Sequence, residues 1–243
     1  MKTLLIDGDI LKYRYGFAAQ KTIKLELETD DTVIMVDKDH EVIAAVSAGI
    51  RRMLRLTGAT DYICYLSGPD NFRLDIDPEY KANRKDSVKP YHFGTITDYL
   101  IQMHDAVVTE GIEADDAISI QYLKDPENQV ICSVDKDFDQ IPGHHYNFTT
   151  DHYYYQQEWD AIKSLYVSML TGDRVDNIQG IKGIGPVKAE KLLQDLTTED
   201  ELSHAIYMAY QGAFGDEGAR SMYDKNWSLL RLLRSEEEIP KCG

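Results

Sequence analysis

The side chains best suited to chemistry are acids in three groups: Glu113-Ala114-Asp115-Asp116, Ser133-Val134-Asp135-Lys136-Asp137 and Gly172-Asp173-Arg174-Val175-Asp176-Asn177. A fourth acid, Asp7, ends the apolar run Leu4-Leu5-Ile6 and is followed by Gly8 and Asp9. Gathered in one place, such carboxylates would repel one another strongly unless divalent cations lay between them. Acids without His or Cys partners suit a hard ion, Mg²⁺ or Mn²⁺. Directly after the third group comes Gly180-Ile181-Lys182-Gly183-Ile184-Gly185-Pro186-Val187-Lys188. Its glycines permit close backbone approach, and Pro186 suits the first position of a helix whose free amides can take a phosphate. Lys188 adds charge nearby.

Each group also has an ordinary explanation. Glu113 and Asp116, three residues apart, fit acids answering the dipole at a helix start. Asp173 and Asp176 have the same spacing. Asp135 and Asp137 fit a turn, or an extended Asp-x-Asp with both side chains on one face. The joint occurrence of the groups in this order is what favours metal-assisted phosphodiester hydrolysis. A non-enzymatic DNA-binding scaffold that uses only the glycine turn is the alternative. A haloacid-dehalogenase-type phosphatase built on Asp7-Gly8-Asp9 leaves that turn unexplained, as it does the basic, aromatic stretch Tyr80-Lys81-Ala82-Asn83-Arg84-Lys85.

The elements that must position these residues alternate between strand and helix. Thr3–Ile6 and Gln129–Val134 read as buried strands, and Thr32–Val36, Val42–Ala45, Asp61–Leu66 and Ala106–Thr109 as further strands. Ala48–Leu56, Phe93–His104 and Glu113–Leu123 read as helices, and Ser67–Lys89 as loop-rich. From about Trp159 the helices Ala161–Leu170, Pro186–Leu196, Glu201–Tyr210 and Ala219–Leu233 follow. The expectation is an α/β fold with a mostly parallel central sheet flanked by helices, residues 1–157, then a helical DNA-binding region, residues 158–243. In such a sheet Asp7 and Asp135 follow the carboxyl ends of strands, where ligand sites lie.

The net charge of −16 runs against nucleic-acid binding. Setting aside the nine acids at Asp7, Asp9, Glu113, Asp115, Asp116, Asp135, Asp137, Asp173 and Asp176 leaves −7, so binding must rest on local basic patches and on metal. No apolar run approaches the roughly 20 residues of a membrane span. Cys64, Cys132 and Cys242 are far apart and odd in number, which suits a reduced, cytoplasmic setting.

Several stretches together resemble the 5′-nuclease superfamily of flap endonucleases and 5′→3′ exonucleases, most of all its short phage-encoded branch. They are Ile6-Asp7-Gly8-Asp9, Asn71-Phe72-Arg73, Pro78-Glu79-Tyr80-Lys81-Ala82-Asn83-Arg84, the three acidic groups and Gly183-Ile184-Gly185, in family order. The resemblance implies a PIN-like core and a two-metal phosphodiesterase. Asp7, Glu113, Asp115, Asp116 and Asp135 would surround one ion, and Asp137, Asp173 and Asp176 the other. Lys81 and Arg84 would steady the transition state beside Asp7 and Asp135. Arg73, Tyr80, Lys81, Arg84, Lys85, Gly183, Gly185 and Lys188 would contact DNA. Residues of about 173–196 would form a helix–three-turn–helix, which in this family often holds a K⁺ ion on backbone carbonyls. The implied partners are DNA with 5′ ends, flaps or nicks, with RNA in RNA–DNA hybrids a further substrate of some members. By analogy the role is in DNA replication or host-DNA degradation, in the host cytoplasm for a phage protein. Two departures stand out. The acid that usually precedes the Phe-Arg pair is replaced near Ser67 and Gly68, with Asp70 the only acid nearby. Only Lys85–His92 is left to form the arch that encloses 5′ ends in flap-cutting relatives, which predicts an open groove.

Overall fold

A computed structural model of the chain describes residues 1–24, 32–85 and 87–240. In chain order the elements are β1 (Thr3–Asp7), α1 (Gly8–Ala18), β2 (Gln20–Lys24), β3 (Thr32–Val36), α2 (Asp39–Thr57), β4 (Asp61–Leu66), α3 (Arg73–Ile76), α4 (Phe93–His104) and β5 (Val107–Val108). There follow α5 (Ala114–Lys124), β6 (Gln129–Cys132), β7 (Gly143–Asn147), β8 (His152–Gln156), α6 (Glu158–Thr171), β9 (Gly172–Asp173), β10 (Ile178–Gln179), α7 (Pro186–Leu193) and α8 (Glu199–Leu230). Cys242 lies outside the described residues.

These elements form two compact units. The first comprises Met1–Pro69, Val88–Val134 and His144–Tyr154. The second gathers Tyr155–Gly243 with two excursions from earlier in the chain, Asp70–Ser87 and Asp135–Gly143.

The first unit is built on a sheet of order β5-β4-β1-β6-β7-β8, whose neighbours from β5 to β7 run parallel. Leu4, Leu5 and Ile6 at its centre are fully buried, as are Val130 and Cys132, which explains why these strands read as unbroken apolar runs. The register pairs Asp7 with Tyr65 and Ile6 with Cys132. The ends of β1, β4 and β6 therefore reach one edge, with Asp7, Ser67 and Ser133 at or just beyond it. Gly8 makes the turn into α1 possible. A Cβ there would stand 2.7 Å from both Cys64 Sγ and the Tyr65 carbonyl oxygen.

One expected strand is a helix. Val42–Ala45 lies inside α2, where Val42, Val46, Ile50 and Met53 bury a single face at helical spacing. The backbone N–H of Lys38 donates to Glu41 Oε2 at its start, and Gly58 ends it in the left-handed region at φ 69°. The expected strand Thr32–Val36 is β3, paired antiparallel with β2; α1, β2, α3, β7, β8, β9 and β10 lay outside the strand and helix expectations.

The second unit packs α6, α7 and α8 around Leu165, Met169, Leu170, Leu193, Ile206 and Tyr210. Gly215, at φ 74° and ψ 169°, interrupts α8 between the two helices expected there. Thr198 caps its start, its hydroxyl accepting from the Glu201 N–H. Among the described residues no helix is long and apolar enough to cross a membrane.

Candidate active site

In the first unit Asp7 closes β1 and caps α1. Its Oδ1 accepts the Ile10 N–H at 3.2 Å, and its Oδ2 accepts the Ser133 hydroxyl at 2.8 Å. Glu113 caps α5, and its N–H donates to Asp116 Oδ2 at 3.3 Å. Asp116 is fully buried, Asp7 and Glu113 nearly so, and Asp115 half-buried. Ser67 and Gly68 are the two positions near which the resembled family usually has an acid. The Ser67 hydroxyl accepts the Ala114 N–H at the start of α5, at 2.9 Å, and the Ser67 N–H donates to Asp9 Oδ2 at 3.1 Å. Asp9 also pairs with the buried Lys12 at 2.6 Å. Asp9, Lys12, Ser67 and Ser133 are thus tied to the ends of β1, β4 and β6. Asp9 and Ser133 sit inside the motifs, Ser67 was noted only as a departure from the family pattern, and Lys12 was not singled out.

In the second unit Asp135 is not part of an extended Asp-x-Asp. It caps a 3₁₀ turn, Lys136–Gln140, accepting the Asp137 N–H at 3.0 Å. A capping aspartate favours such a tight turn over a continued strand. Asp173 ends β9 and Asp176 sits in the turn between β9 and β10, both almost fully buried. Asp173 Oδ1 accepts the Val175 N–H at 2.7 Å and the Asp176 N–H at 3.3 Å. Gly172 begins this turn at φ 65°, and a side chain on it would collide with the Gly180 amide at 2.3 Å.

The acids of this unit act on one another. Burial, then the charges of Asp135, Asp173 and Asp176, push Asp137 up to about 7 against the pull of Lys136. Burial would also raise Asp173, but the Lys136 ammonium at 2.9 Å and the two backbone amides outweigh it and hold Asp173 low. Lys81 Nζ lies 3.6 Å from Asp176 Oδ2, and Arg84 pairs with Asp176 Oδ1. Arg84 also donates to the Val175 carbonyl at 3.0 Å. Lys81 adopts φ 55°, and its N–H donates to the Asp176 carbonyl at 2.9 Å. The basic stretch and the β9–β10 turn are therefore interlocked.

Among the described residues no three acidic, His or Cys side chains converge tightly enough to hold an ion as they stand. Instead Asp173 and Asp176 lean on Lys136, Lys81 and Arg84. The donor chemistry nonetheless fits a hard cation. Every candidate ligand is a carboxylate, and the upward push on Asp137 from burial and its acidic neighbours marks negative charge that these cations do not fully offset.

Two expected DNA contacts are placed elsewhere. Arg73 is 2% exposed, and its guanidinium donates to the carbonyls of Leu229 and Arg231. Tyr80 is 4% exposed, packs into the core of the second unit and donates its hydroxyl to Asp176 Oδ2 at 3.3 Å. Neither presents a surface to DNA, because the loop that carries them folds inward on its apolar and planar side chains. Lys85 is exposed. Gly183, at φ 83°, and Gly185, the cap of α7, lie in the expected turn, where Lys188 Nζ donates to the Gly183 carbonyl at 3.4 Å. This turn borders a polar cavity of ≈ 420 Å³ lined by Thr171, Arg174, Asn177 and Ile178–Ile184.

Residues 2–175 match the family described as 5′-3′ exonuclease, N-terminal resolvase-like domain. The chain is 31% identical over 260 aligned residues to the flap endonuclease Xni of Shewanella baltica, covering 98% of this chain and 91% of that protein. Its fold is similar to that of bacteriophage T5 5′-exonuclease with divalent zinc ions bound. There the TM-score is 0.60 at 17% identity, over 95% of this chain and 100% of that one. It is equally similar to the bacteriophage T5 flap endonuclease in a pseudo-enzyme–product complex with DNA and metal ions, with TM-score 0.60, 16% identity, and 95% and 99% coverage. The chain belongs to the 5′-3′ exonuclease family of the 5′-nuclease superfamily and is a structure-dependent 5′ nuclease, a hydrolase.

Proposed function

We propose that this nuclease is a divalent-metal-dependent 5′→3′ exonuclease and flap endonuclease that acts at 5′ ends, flaps or nicks of duplex DNA. The observation that carries this reading is the second unit's group of mutually repelling carboxylates, Asp135, Asp137, Asp173 and Asp176, with Lys81 and Arg84 on its edge. In the first unit Asp7, Glu113, Asp115 and Asp116 are a further group of carboxylates suited to Mg²⁺ or Mn²⁺. Such ions, when bound, supply Lewis acidity and a water acidic enough to attack at neutral pH. Asp7 is held ready by the Ser133 hydroxyl and the α1 amide, and Asp173 by two backbone amides, so these carboxylates are oriented before any ligand arrives.

Lys81 and Arg84 neutralise Asp176 in the free protein. Asp176 would help to hold a divalent ion, and Lys81 and Arg84 beside it would be placed to meet the charge that develops on a scissile phosphate. The amides near Gly183 and Gly185, with Lys85 and Lys188, grip backbone phosphates without reading sequence, and the carbonyls of the same turn suit K⁺. RNA strands of RNA–DNA hybrids are a second substrate class. The test is incubation of 5′-labelled duplex and 5′-flap DNA with Mg²⁺ or with EDTA. Metal-dependent release of short 5′ products is expected. Binding of either DNA without cutting in Mg²⁺ or Mn²⁺ contradicts the proposal.

A further inference from the structure

The last carbonyls of a helix have no partner within it. At the end of α8 two buried side chains from distant parts of the second unit take them. Arg73, 2% exposed, donates Nε–H to the Leu229 carbonyl at 2.9 Å and Nη2–H to the Arg231 carbonyl at 3.1 Å. Gln140, 4% exposed, donates Nε2–H to the Leu230 carbonyl at 3.0 Å and accepts the Leu232 N–H on Oε1 at 2.8 Å. Four consecutive residues, Leu229 to Leu232, are thus gripped from two sides.

The two gripping residues are not arbitrary. Arg73 begins the stretch that leads to Lys81 and Arg84, and Asp77, midway, is pinned to Lys225 of α8 at 2.6 Å. Gln140 closes the 3₁₀ turn that Asp135 caps and that contains Asp137. We infer that Leu229–Leu232 is a keystone fixing the basic stretch and the Asp135–Asp137 turn, and that Arg73 and Gln140 are positioning residues for them. The C-terminal part of the chain, which carries no sequence motif, thereby shares in building the site. The inference rests on the function proposed above, in which those two segments do the chemistry. Its physical basis is that a buried charged donor, or an amide satisfied at both ends, holds backbone far more tightly than exposed contacts do. Displacements of an ångström or less are costly in such sites.

The test uses the full chain with Arg73→Lys, which keeps the charge but loses the fork, and Gln140→Met, which keeps the length but loses both bonds. Mn²⁺ binding to the protein alone is followed by electron paramagnetic resonance, and cleavage of a 5′-flap DNA is measured in parallel. Gln140→Met is expected to weaken Mn²⁺ binding about tenfold. Arg73→Lys is expected to lower kcat about tenfold with Mn²⁺ binding unchanged, and to cause a smaller proportional loss in a Lys81→Ala background, where only Arg84 of the pair remains to be positioned. Should Gln140→Met fail to fold, Gln140→Glu, which keeps the bond from Leu232 and loses the one to Leu230, serves instead. For Arg73 the substitute is Arg73→Gln. A purely structural role predicts the same proportional loss with and without Lys81, and unchanged Mn²⁺ affinity; that result overturns the inference. If Asp135→Ala still cuts, the proposed function itself fails. If Asp135→Ala is inactive while both variants match wild type in metal affinity and rate, only the keystone is refuted.

Discussion

Withholding divalent ions should leave a proton on Asp137 near neutral pH. Burial and the three neighbouring carboxylates move this group from 3.8 to about 7, with Lys136 opposing them. A folded-state pKa above the unfolded one means that the folded protein holds the proton longer. The stability it contributes is full below about pH 4 and is lost as pH rises through about 7. A gap of about three units at roughly 1.4 kcal/mol each bounds the effect near 4 kcal/mol. The side chain is only half-buried, and solvent screening of its neighbours reduces the expectation to ~1–2 kcal/mol. The assay is urea unfolding in chelator at pH 5 and pH 8, comparing wild type with Asp137→Asn, which cannot titrate. Wild type should lose ~1–2 kcal/mol more than the variant over this range. Added Mg²⁺ should remove the difference, releasing about half a proton per chain at pH 7 as the carboxylate is held charged. Parallel pH profiles for the two proteins in chelator would refute the reasoning, since the charge pressure within the acidic group would then be absent.

Other consequences can be checked separately. Gly8→Ala should destabilise the fold by about 1–3 kcal/mol, read from denaturant midpoints, because its Cβ would press on Cys64 and the Tyr65 carbonyl. Lys188→Ala should weaken binding of unrelated duplex sequences alike and reduce the slope of log K against log salt by about 1. A change confined to one sequence would count against a backbone grip. A bulky tag on the 5′ end should leave cleavage at internal junctions intact if the short Lys85–His92 stretch forms no closed arch, and abolition of cutting would show that threading is needed.

The parts of the fold that could be read in advance are those whose burial is continuous. β1 and β6 are buried runs in a parallel sheet, so their apolar residues, and Asp7 and Asp135 at or just after their ends, stand out in sequence; β4 is buried only from Cys64 to Leu66. α4 was legible to its exact bounds because Ile96 and Leu100 repeat on one face. Val42–Ala45 was misread because four mostly apolar residues look alike in strand and helix; only the longer spacing through Ile50 and Met53 decides. The motif acids were legible as types in order, but not their local geometry, since Asp135 caps a tight turn rather than extending a strand. Arg73 and Tyr80 looked like surface groups because basic and aromatic residues in a polar loop usually are. Their burial depends on helix carbonyls more than 150 residues away and on Asp176, partners no local pattern reveals. Gln140 was silent for the same reason, since its bonds to Leu230 and Leu232 are set by tertiary structure; Ser67 was noted only as a departure from the family pattern, and its bonds to Ala114 and Asp9 were not legible.

The central claim is that carboxylate-held metal performs the hydrolysis. Its most direct test compares wild type with Asp135→Ala on 5′-labelled flap DNA in Mg²⁺, with DNA affinity measured in parallel. Asp135 is exposed, and its side chain caps a short 3₁₀ turn, so the variant should fold and bind DNA as wild type does. The expected result is loss of cleavage by a factor of at least about 10², the scale of removing one group that acts on the developing charge, with unchanged affinity. Cleavage at the wild-type rate by the folded variant would contradict the account.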